Sequence, residues 1–147
     1  MTMKAAASKP TAPATRNTVQ RALVEEAVRM LGDHPTPSEV YEKVREKHPH
    51  ISRATVYRNL NLLAERGELA HVAVPNGADR YELRLDPHYH LCCSQCGRIF
   101  DAEMPFDETM PEHLGDTQGF RVTGHLVIFT GLCADCRAAA REAAMRG

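Results

Sequence analysis

Apolar residues in the first half of the chain recur at the spacing of amphipathic helices, in three successive segments. The first segment ends at Gly32, and the second begins at Thr36, an N-cap whose partner Glu39 completes a capping box. The third segment is capped by Ser52 and stopped by Gly67. The apolar positions that define these three helices are Val19, Leu23, Ala27, Met30, Leu31, Val40, Tyr41, Val44, Val56, Leu60 and Leu63.

The pattern then changes to the two-residue alternation of strands. Residues 69–74 and 80–85 flank the turn signal Asn76-Gly77 and predict a β-hairpin, so the first part of the chain is expected to be a winged helix-turn-helix. A second, smaller unit begins after Asp86-Pro87. Its strands are predicted at 88–93, 96–104 and 119–131, a short helix at 107–114, and a final Ala-rich helix at 133–147. The predicted fold class is therefore α+β.

Composition and charge narrow the picture only a little. The longest apolar runs of the 147 residues are too short to cross a bilayer, and the first residues lack an apolar core, which predicts a disordered tail and a cytoplasmic protein with no membrane partner. Residues 1–85 carry a net charge of +3 and residues 86–147 carry −4. This asymmetry suits a DNA-binding unit joined to a cation-binding one. Random scatter of charges explains so small a difference nearly as well.

The third helix has the character of a DNA-reading helix. Opposite its apolar stripe it presents Arg, Asn and Tyr side chains, which pair with base edges or contact phosphates in the major groove. A solvated helix face is the plainer interpretation, and some winged helices bind proteins instead. The candidate DNA-binding residues are Arg53, Thr55, Tyr57, Arg58 and Asn61.

Four of the five cysteines form two C-x-x-C pairs, Cys93 with Cys96 and Cys133 with Cys136. Two such knuckles in a small domain predict one tetrahedral structural zinc that ties the start of the domain to its end. A thioredoxin-like redox pair or two disulfides are the alternatives. Cys92 points away from Cys93 on a strand, so it is interpreted as a buried filler residue, with a reactive thiol as the minor alternative.

A second set of candidate ligands begins immediately before the first knuckle. His88 and His90 lie two residues apart and point to one face of a strand, and Asp101 is expected on the neighbouring strand. Glu82 ends the hairpin, and His34 lies in the loop before the second helix. Imidazoles with carboxylates suit Fe²⁺, Mn²⁺ or Zn²⁺. Ordinary surface histidines are the alternative, and the sequence alone does not bring His34 and Glu82 to the others.

These segments together resemble the ferric uptake regulator (Fur) superfamily. The similarity covers about residues 15 to 137 and rests on the segments HPTPSEVY, ISRATVYRNLNLLAERGEL, HYHLCCSQCGRIFD and GLCADC. The resemblance implies a homodimeric repressor that grips an AT-rich inverted repeat in double-stranded DNA when a regulatory metal fills a hinge site. The implied regulatory ligands are His34, Glu82, His88, His90 and Asp101, and the implied zinc ligands are Cys93, Cys96, Cys133 and Cys136. The expected organisation is a disordered tail (1–13), a winged-helix DNA-binding domain (14–84), a hinge (85–87) and a metal-binding dimerisation domain (88–147).

Within the superfamily, the H-Y-H segment and Asp101 look like the peroxide-sensing PerR branch. There, bound Fe²⁺ reacts with peroxide and a ligand histidine is oxidised; by position the candidates are His34 and His88. Glu82 stands where that branch often has Asp, and Arg58 looks more like iron-uptake regulators. Peroxide sensing through Fe²⁺ or Mn²⁺ is the favoured prediction, with Zn²⁺ as an alternative ion in vitro. Iron-responsive (Fur-type) and zinc-responsive (Zur-type) repression are the alternatives.

The resemblance to the family also leaves undecided whether the chain has an additional metal site. His125 and Glu108 match ligands of an additional site in iron-uptake regulators, whereas Pro87 and Tyr89 replace its other ligands. A zinc hydrolase or deaminase is the alternative from another class. The chain has no H-E-x-x-H, no H-x-E before a cysteine knuckle, no glycine-rich phosphate loop and no serine nucleophile elbow, so we do not expect an enzyme.

Overall fold

The computed structural model describes residues 15–147, so the predicted tail at 1–13 lies outside the described residues. Three helices come first: α1 (Arg16–Leu31), α2 (Pro37–Arg45) and α3 (Arg53–Glu65). Their N-caps are Thr15, Thr36 and Ser52, and each cap hydroxyl accepts a hydrogen bond from the backbone N–H three residues on. The local signals in the sequence therefore determine where the helices begin.

The three helices pack around one apolar core. The predicted stripe of α3 is correct, since Val56, Leu60 and Leu63 are all fully buried. The predicted face of α1 is partly wrong, because Val19 and Met30 are about half exposed. The residues of α1 that are buried in the core are Val24, Ala27 and Val28. Apolar residues lie on more than one side of α1, so the helix period alone did not determine which side packs.

A short hairpin follows the helices, formed by β1 (Ala70–Val72) and antiparallel β2 (Arg80–Glu82). Both strands are shorter than predicted, and residues 73–79 form the connection between them. Strand β2 also holds the loop before α2, because the Tyr81 N–H donates to the Pro35 carbonyl at 3.0 Å. This contact places the end of the hairpin beside His34.

A three-stranded sheet forms the second part, with the order β4-β3-β5. The elements are β3 (His90–Cys93), β4 (Ile99–Asp101), a 3₁₀ turn (Met110–His113), β5 (Ile128–Gly131) and α4 (Ala134–Arg146). Strand β5 runs parallel to β3, with Ile128 opposite His90. The long strand predicted at 119–131 is therefore wrong for residues 119–127, because β3 begins at His90 and offers them no ladder. The predicted α+β class, with a winged helix followed by a small sheet domain, is confirmed.

An apolar contact joins the hairpin to the second sheet. Val72 and Val74 pack with Cys92 and Ile99, and Ile128 packs against this cluster. Cys92 is 7% exposed as part of this cluster, and on a strand it faces the opposite side from Cys93. The two parts of the molecule therefore meet through a small apolar core. No helix in residues 15–147 has both the length and the apolar character needed to span a membrane.

Candidate metal sites and DNA-binding helix

Four cysteine sulfurs converge where β3 ends and α4 begins. Cys93 is the last residue of β3, and Cys133 is the N-cap of α4. The sulfurs of Cys93, Cys96, Cys133 and Cys136 all lie within 4.8 Å of one another. A tetrahedral zinc with Zn–S bonds of about 2.3 Å sets its sulfurs about 3.8 Å apart. The Sγ atoms of Cys96 and Cys133 are 3.8 Å apart, so this set has the size of a zinc site.

Backbone N–H groups prepare two of these cysteines, Cys93 and Cys133, to bind as thiolates. The N–H groups of Cys96 and Cys133 point at the Cys93 sulfur, at 3.5 and 3.4 Å, and these hydrogen bonds lower the pKa of Cys93 to about 5. The Cys136 N–H donates to Cys133 and lowers its pKa as well. Sequence reasoning missed Arg98, whose Nη2 lies 4.0 Å from the Cys133 sulfur and 3.0 Å from Asp135. Its charge partly offsets that of four thiolates.

The second cluster of candidate ligands lies between the hairpin and the second sheet. Glu82 is the last residue of β2, His90 begins β3, and Asp101 lies directly opposite His90 at the end of β4. His34 reaches the cluster from the loop before α2, and His88 from the segment before β3. One ligand atom from each of the five residues lies within 4.8 Å of all the others. The tertiary structure thus brings together every residue of the predicted regulatory set.

The distances in this cluster fit a single cation. His88 Nε2 lies 2.9 Å from Glu82 Oε1 and 3.0 Å from Asp101 Oδ1, and His90 Nε2 lies 3.1 Å from the same Glu82 oxygen. His34 Nε2 lies 2.9 Å from Asp101 Oδ1. With metal–ligand bonds of about 2.1 Å, ligands on opposite sides of an ion are at most about 4.2 Å apart. All four of these distances are shorter than that limit, and all five ligand atoms lie within 4.8 Å of one another.

The orientation of His88 is that of a metal-binding imidazole. Its Nδ1–H donates to the Asp86 carbonyl at 2.6 Å, which leaves the lone pair on Nε2 facing the carboxylates. Within residues 15–147, this buried Nε2 has no hydrogen-bond partner. A lone pair directed at carboxylate oxygens is unfavourable unless a cation lies between them. The residues present therefore fit a divalent metal with nitrogen and oxygen ligands.

Burial and charge act against each other in this cluster. Burial favours neutral His34, but its hydrogen bond to Glu82 and the charges of Glu82 and Asp101 outweigh burial and raise the pKa of His34. Burial alone would raise the pKa of Glu82. The hydrogen bond to His34 and the charges of His34, His88 and His90 outweigh burial and lower that pKa. Burial is the main effect at His90 and lowers its pKa. Glu82 and Asp101 thus both have lowered pKa values, the first as a buried carboxylate and the second as a partly exposed one, and a cation stabilises such charges.

Arg84 is a neighbour of this cluster that sequence reasoning did not identify. Its Nη1 lies 3.5 Å from Asp101 Oδ2, and its Nε and Nη2 donate to the Asp86 carboxylate. Asp86 in turn fixes His88 through its carbonyl. The guanidinium therefore orients the candidate ligand Asp101 and also Asp86, which holds the candidate ligand His88. In the sequence, the position of Arg84 two residues after Glu82 was the only sign of this role.

The predicted DNA-reading face of α3 is accessible but partly engaged. Arg58 is exposed and forms part of the wall of a surface cavity of about 600 Å³ between α1 and α3. Arg53 stacks 4.4 Å over the Tyr41 ring and donates to the Tyr57 hydroxyl at 3.2 Å. The Thr55 hydroxyl bonds to the Ser52 cap. Arg53 and Thr55 thus support the helix, whereas the side chain of Arg58 forms no hydrogen bond or ion pair within residues 15–147 and can contact a ligand.

Asn61 connects α3 to the hairpin. Its Oδ1 accepts a hydrogen bond from the Tyr81 hydroxyl at 2.9 Å, which leaves the Nδ2 donors for other partners. Tyr81 lies on β2 between Arg80 and Glu82. The predicted base-reading residue is therefore linked, through one side chain, to the strand that ends in a candidate metal ligand.

The additional site suggested by His125 and Glu108 has a different character. The Tyr89 hydroxyl forms a hydrogen bond with His125 Nε2 at 2.8 Å and accepts one from the Asp107 N–H at 3.1 Å, and Phe106 stacks on the His125 ring. Tyr89 is only 1% exposed. Among residues 15–147, the groups with the geometry to hold a metal are the Cys₄ set and the His–carboxylate set, and neither includes His125.

A winged helix joined to a sheet domain that carries two metal-type clusters defines a class of metal-responsive DNA-binding regulators. The chain belongs to the Ferric uptake regulator family, whose model matches residues 13–130. It is 34% identical over 122 residues to the ferric uptake regulation protein of Campylobacter jejuni, covering 81% of this chain and 78% of that one. It is also 34% identical over 125 residues to the peroxide-responsive repressor PerR of Staphylococcus saprophyticus, covering 83% and 82%.

A solved structure agrees with these relatives. The fold is similar to that of the Helicobacter pylori ferric uptake regulator, which has three functional metal binding sites, with a TM-score of 0.69 and 25% identity over 83% of this chain and 82% of that one. The predicted family is therefore confirmed, and the chain is a metal-responsive transcription regulator. Its relatives are regulators and repressors, in agreement with the expectation that it is not an enzyme.

Proposed function

We propose that this protein is a homodimeric, metal-dependent repressor that binds an AT-rich inverted repeat and releases it when peroxide reacts at an iron-loaded regulatory site. The observation that carries the proposal is the convergence of five candidate ligands from both parts of the chain within 4.8 Å. We assign the tail to residues 1–13, the DNA-binding domain to 14–84, the hinge to 85–87 and the metal-binding dimerisation domain to 88–147. The proposed place of action is the cytoplasm.

The ligand chemistry supports Fe²⁺ or Mn²⁺ at the regulatory site. Three neutral imidazoles and two carboxylates form a set with nitrogen and oxygen donors and a charge of −2, which a divalent ion neutralises. The ligands would be His34, Glu82, His88, His90 and Asp101. The Cys₄ set, by contrast, has the softness and size of a structural zinc site, with Cys93, Cys96, Cys133 and Cys136 as ligands.

The site has the geometry of a clamp between the two domains. His34 and Glu82 belong to the DNA-binding part, and His88, His90 and Asp101 belong to the other. When no cation is bound, the carboxylates of buried Glu82 and of the more exposed Asp101 repel each other and favour separation. A bound ion stabilises the arrangement in which both sets meet, by the difference between its affinities for the closed and open forms. In a dimer, that arrangement determines the distance between the two copies of α3.

The exposed apolar surface of the second sheet supports dimerisation. Phe120 is 79% exposed, Leu126 is 89% exposed and Phe129 on the edge strand β5 is 43% exposed. None of the α4 side chains is buried within residues 15–147. Exposed apolar side chains beside an open strand edge are typical of an interface between subunits. We place the dimer contact here, on the side of the sheet away from β4.

The DNA-binding proposal rests on Arg58, Tyr57 and Asn61. Arg58 is exposed, Tyr57 lies one residue before it, and Asn61 keeps two amide donors free. These are side chains suited to base edges in the major groove. Arg53 and Thr55 are assigned to the same surface as supports, because they bond to Tyr57 and to the helix cap.

One experiment separates the proposed sensor from its alternatives. Protein purified without oxygen and loaded with Fe²⁺ is bound to operator DNA and exposed to peroxide, and the His34 and His88 peptides are then weighed by mass spectrometry. Release from DNA with the gain of one oxygen atom, supplied by peroxide, on either peptide supports peroxide sensing. An iron-responsive repressor, favoured by the Campylobacter jejuni relative, would instead stay bound and unmodified. Failure to load iron, with activation by Zn²⁺, would indicate a zinc sensor.

A further inference from the structure

Arg80 is a buried cation that neither metal cluster uses. It lies on β2, is 9% exposed, and its Nε has no hydrogen-bond partner within residues 15–147. Its nearest carboxylate is that of Glu39, 3.9 Å away and about half exposed, so it forms only a weak ion pair. A guanidinium held out of water with so little compensation requires a role.

The strong contact of Arg80 is with the backbone of a candidate metal ligand. Its Nη1 donates to the His34 carbonyl at 2.9 Å, in a buried hydrogen bond. The next carbonyl, that of Pro35, accepts the N–H of Tyr81. Two successive residues of β2 thus hold two successive carbonyls of the loop before α2.

The loop that carries His34 needs such support. Gly32, Asp33 and His34 have φ angles of +56°, +39° and +55°, a left-handed run that is unfavourable for the two residues with a Cβ. The Thr36 cap holds the loop only on the side towards α2. On the other side, Arg80 and the Tyr81 N–H are the groups of β2 that bond to the backbone of this loop within residues 15–147.

The same strand also supplies a ligand. Residues 80 and 82 lie on one side of a strand, so Arg80 and Glu82 face the same direction, one towards the His34 carbonyl and the other towards its ring. The Glu82 carboxylate lies within salt-bridge distance of His34 Nε2. Strand β2 therefore determines the distance between two ligands that are 48 positions apart in the sequence.

We propose that Arg80 is a positioning residue of the regulatory metal site, which holds the His34 ring against Glu82 so that the ligands from the DNA-binding part are assembled before the ion arrives. This inference rests on the regulatory site under Proposed function. The direction in which metal affinity changes when Arg80 is removed distinguishes a positioning role from a purely electrostatic one. A guanidinium repels a cation, so if only charge mattered, its removal would strengthen metal binding. A positioning role predicts that binding weakens.

The test is a double-mutant cycle with Co²⁺ as the probe, on full-length protein whose Cys₄ site holds zinc. Weak d–d absorption without thiolate charge-transfer bands marks Co²⁺ at the nitrogen–oxygen site. Arg80→Met should raise the Co²⁺ dissociation constant about tenfold, or about 1.4 kcal/mol. In a His34→Asn background the same change should cost less than about twofold, because its effect passes through His34. Arg80→Lys, which keeps a donor, should restore part of the affinity.

The controls keep the result decisive. Arg29→Met removes an exposed arginine that pairs with Glu25 and Glu26 on α1, and it should leave Co²⁺ binding unchanged. The inference is overturned if Arg80→Met lowers Co²⁺ affinity equally in the wild-type and His34→Asn backgrounds, raises it, or leaves it unchanged. Each of these results leaves the proposed function intact. If Arg80→Met does not fold, Arg80→Lys takes its place in the cycle. Failure of the wild-type protein to bind Co²⁺ outside the Cys₄ site overturns the proposed regulatory site itself.

Discussion

His34 is the proposed ligand whose removal tests the proposed clamp most directly. It reaches the regulatory cluster from the loop before α2, and its Nε2 contacts the carboxylates of Glu82 and Asp101. Its φ of +55° makes alanine a poor replacement, because a left-handed backbone adds strain unrelated to the metal. Asparagine adopts this region readily and is too short to reach the ion. His34→Asn is therefore the better variant.

The size of the effect follows from the role of the side chain. Residues that merely orient a metal ligand cost about 10- to 100-fold in affinity when changed. Loss of a ligand itself therefore sets a lower bound of about 100-fold, or about 2.7 kcal/mol. At a metal concentration about ten times the wild-type dissociation constant, occupancy should fall from about 90% to about 10% or less. Metal-dependent DNA binding should fall with it.

Fluorescence anisotropy of a labelled operator, titrated with Mn²⁺, measures this loss. The matched control is His71→Asn, which removes a histidine paired with a carboxylate, Asp79 at 3.0 Å, outside the cluster. Zinc content and dimer mass should stay at wild-type values in both variants. If His34→Asn binds DNA with the wild-type dependence on Mn²⁺, the clamp between the two domains is wrong.

Four further outcomes follow from the same structure. Cys93→Ser should lose zinc and the dimer together, by metal analysis and light scattering, and a zinc-loaded dimer would contradict the Cys₄ assignment. Arg58→Ala should weaken operator binding by about 1–3 kcal/mol by anisotropy if Arg58 pairs with a base, and unchanged affinity at every salt concentration would remove it from the interface. Ile99 is 2% exposed, so Ile99→Ala should lower the free energy of unfolding, measured with urea, by about 2–5 kcal/mol. A decrease below about 1 kcal/mol would mean that the apolar contact between the domains is not stabilising. Burial lowers the pKa of His34, but its carboxylate neighbours outweigh burial and raise the pKa above 6.5. Protons should therefore compete with Mn²⁺ for His34, and Mn²⁺ affinity should fall as the pH falls towards that range. Equal Mn²⁺ affinity at about pH 8 and pH 6 would refute this competition.

Local signals in the sequence were sufficient for the starts of the second and third helices, the cysteine pairs and the family. The caps Thr36 and Ser52 act through hydrogen bonds three residues away. The cysteine pairs are local in the same sense, because the two members of each lie three residues apart. Interactions of this range depend on backbone geometry that every helix or turn shares, so they can be predicted without the fold.

Only the tertiary structure decided which side of α1 is buried, where β5 begins and how His34 meets Glu82. Val24 and Val28 are buried, rather than Val19 and Met30, because α2 and α3 pack on that side. Each of these results depends on contacts between residues far apart in the chain, whose formation costs loop entropy and is driven by the packing of the whole molecule. The role of Arg80 also depended on the tertiary structure. Its place in the alternating pattern of β2 can be read from the sequence, but the His34 carbonyl that it holds is 46 residues away.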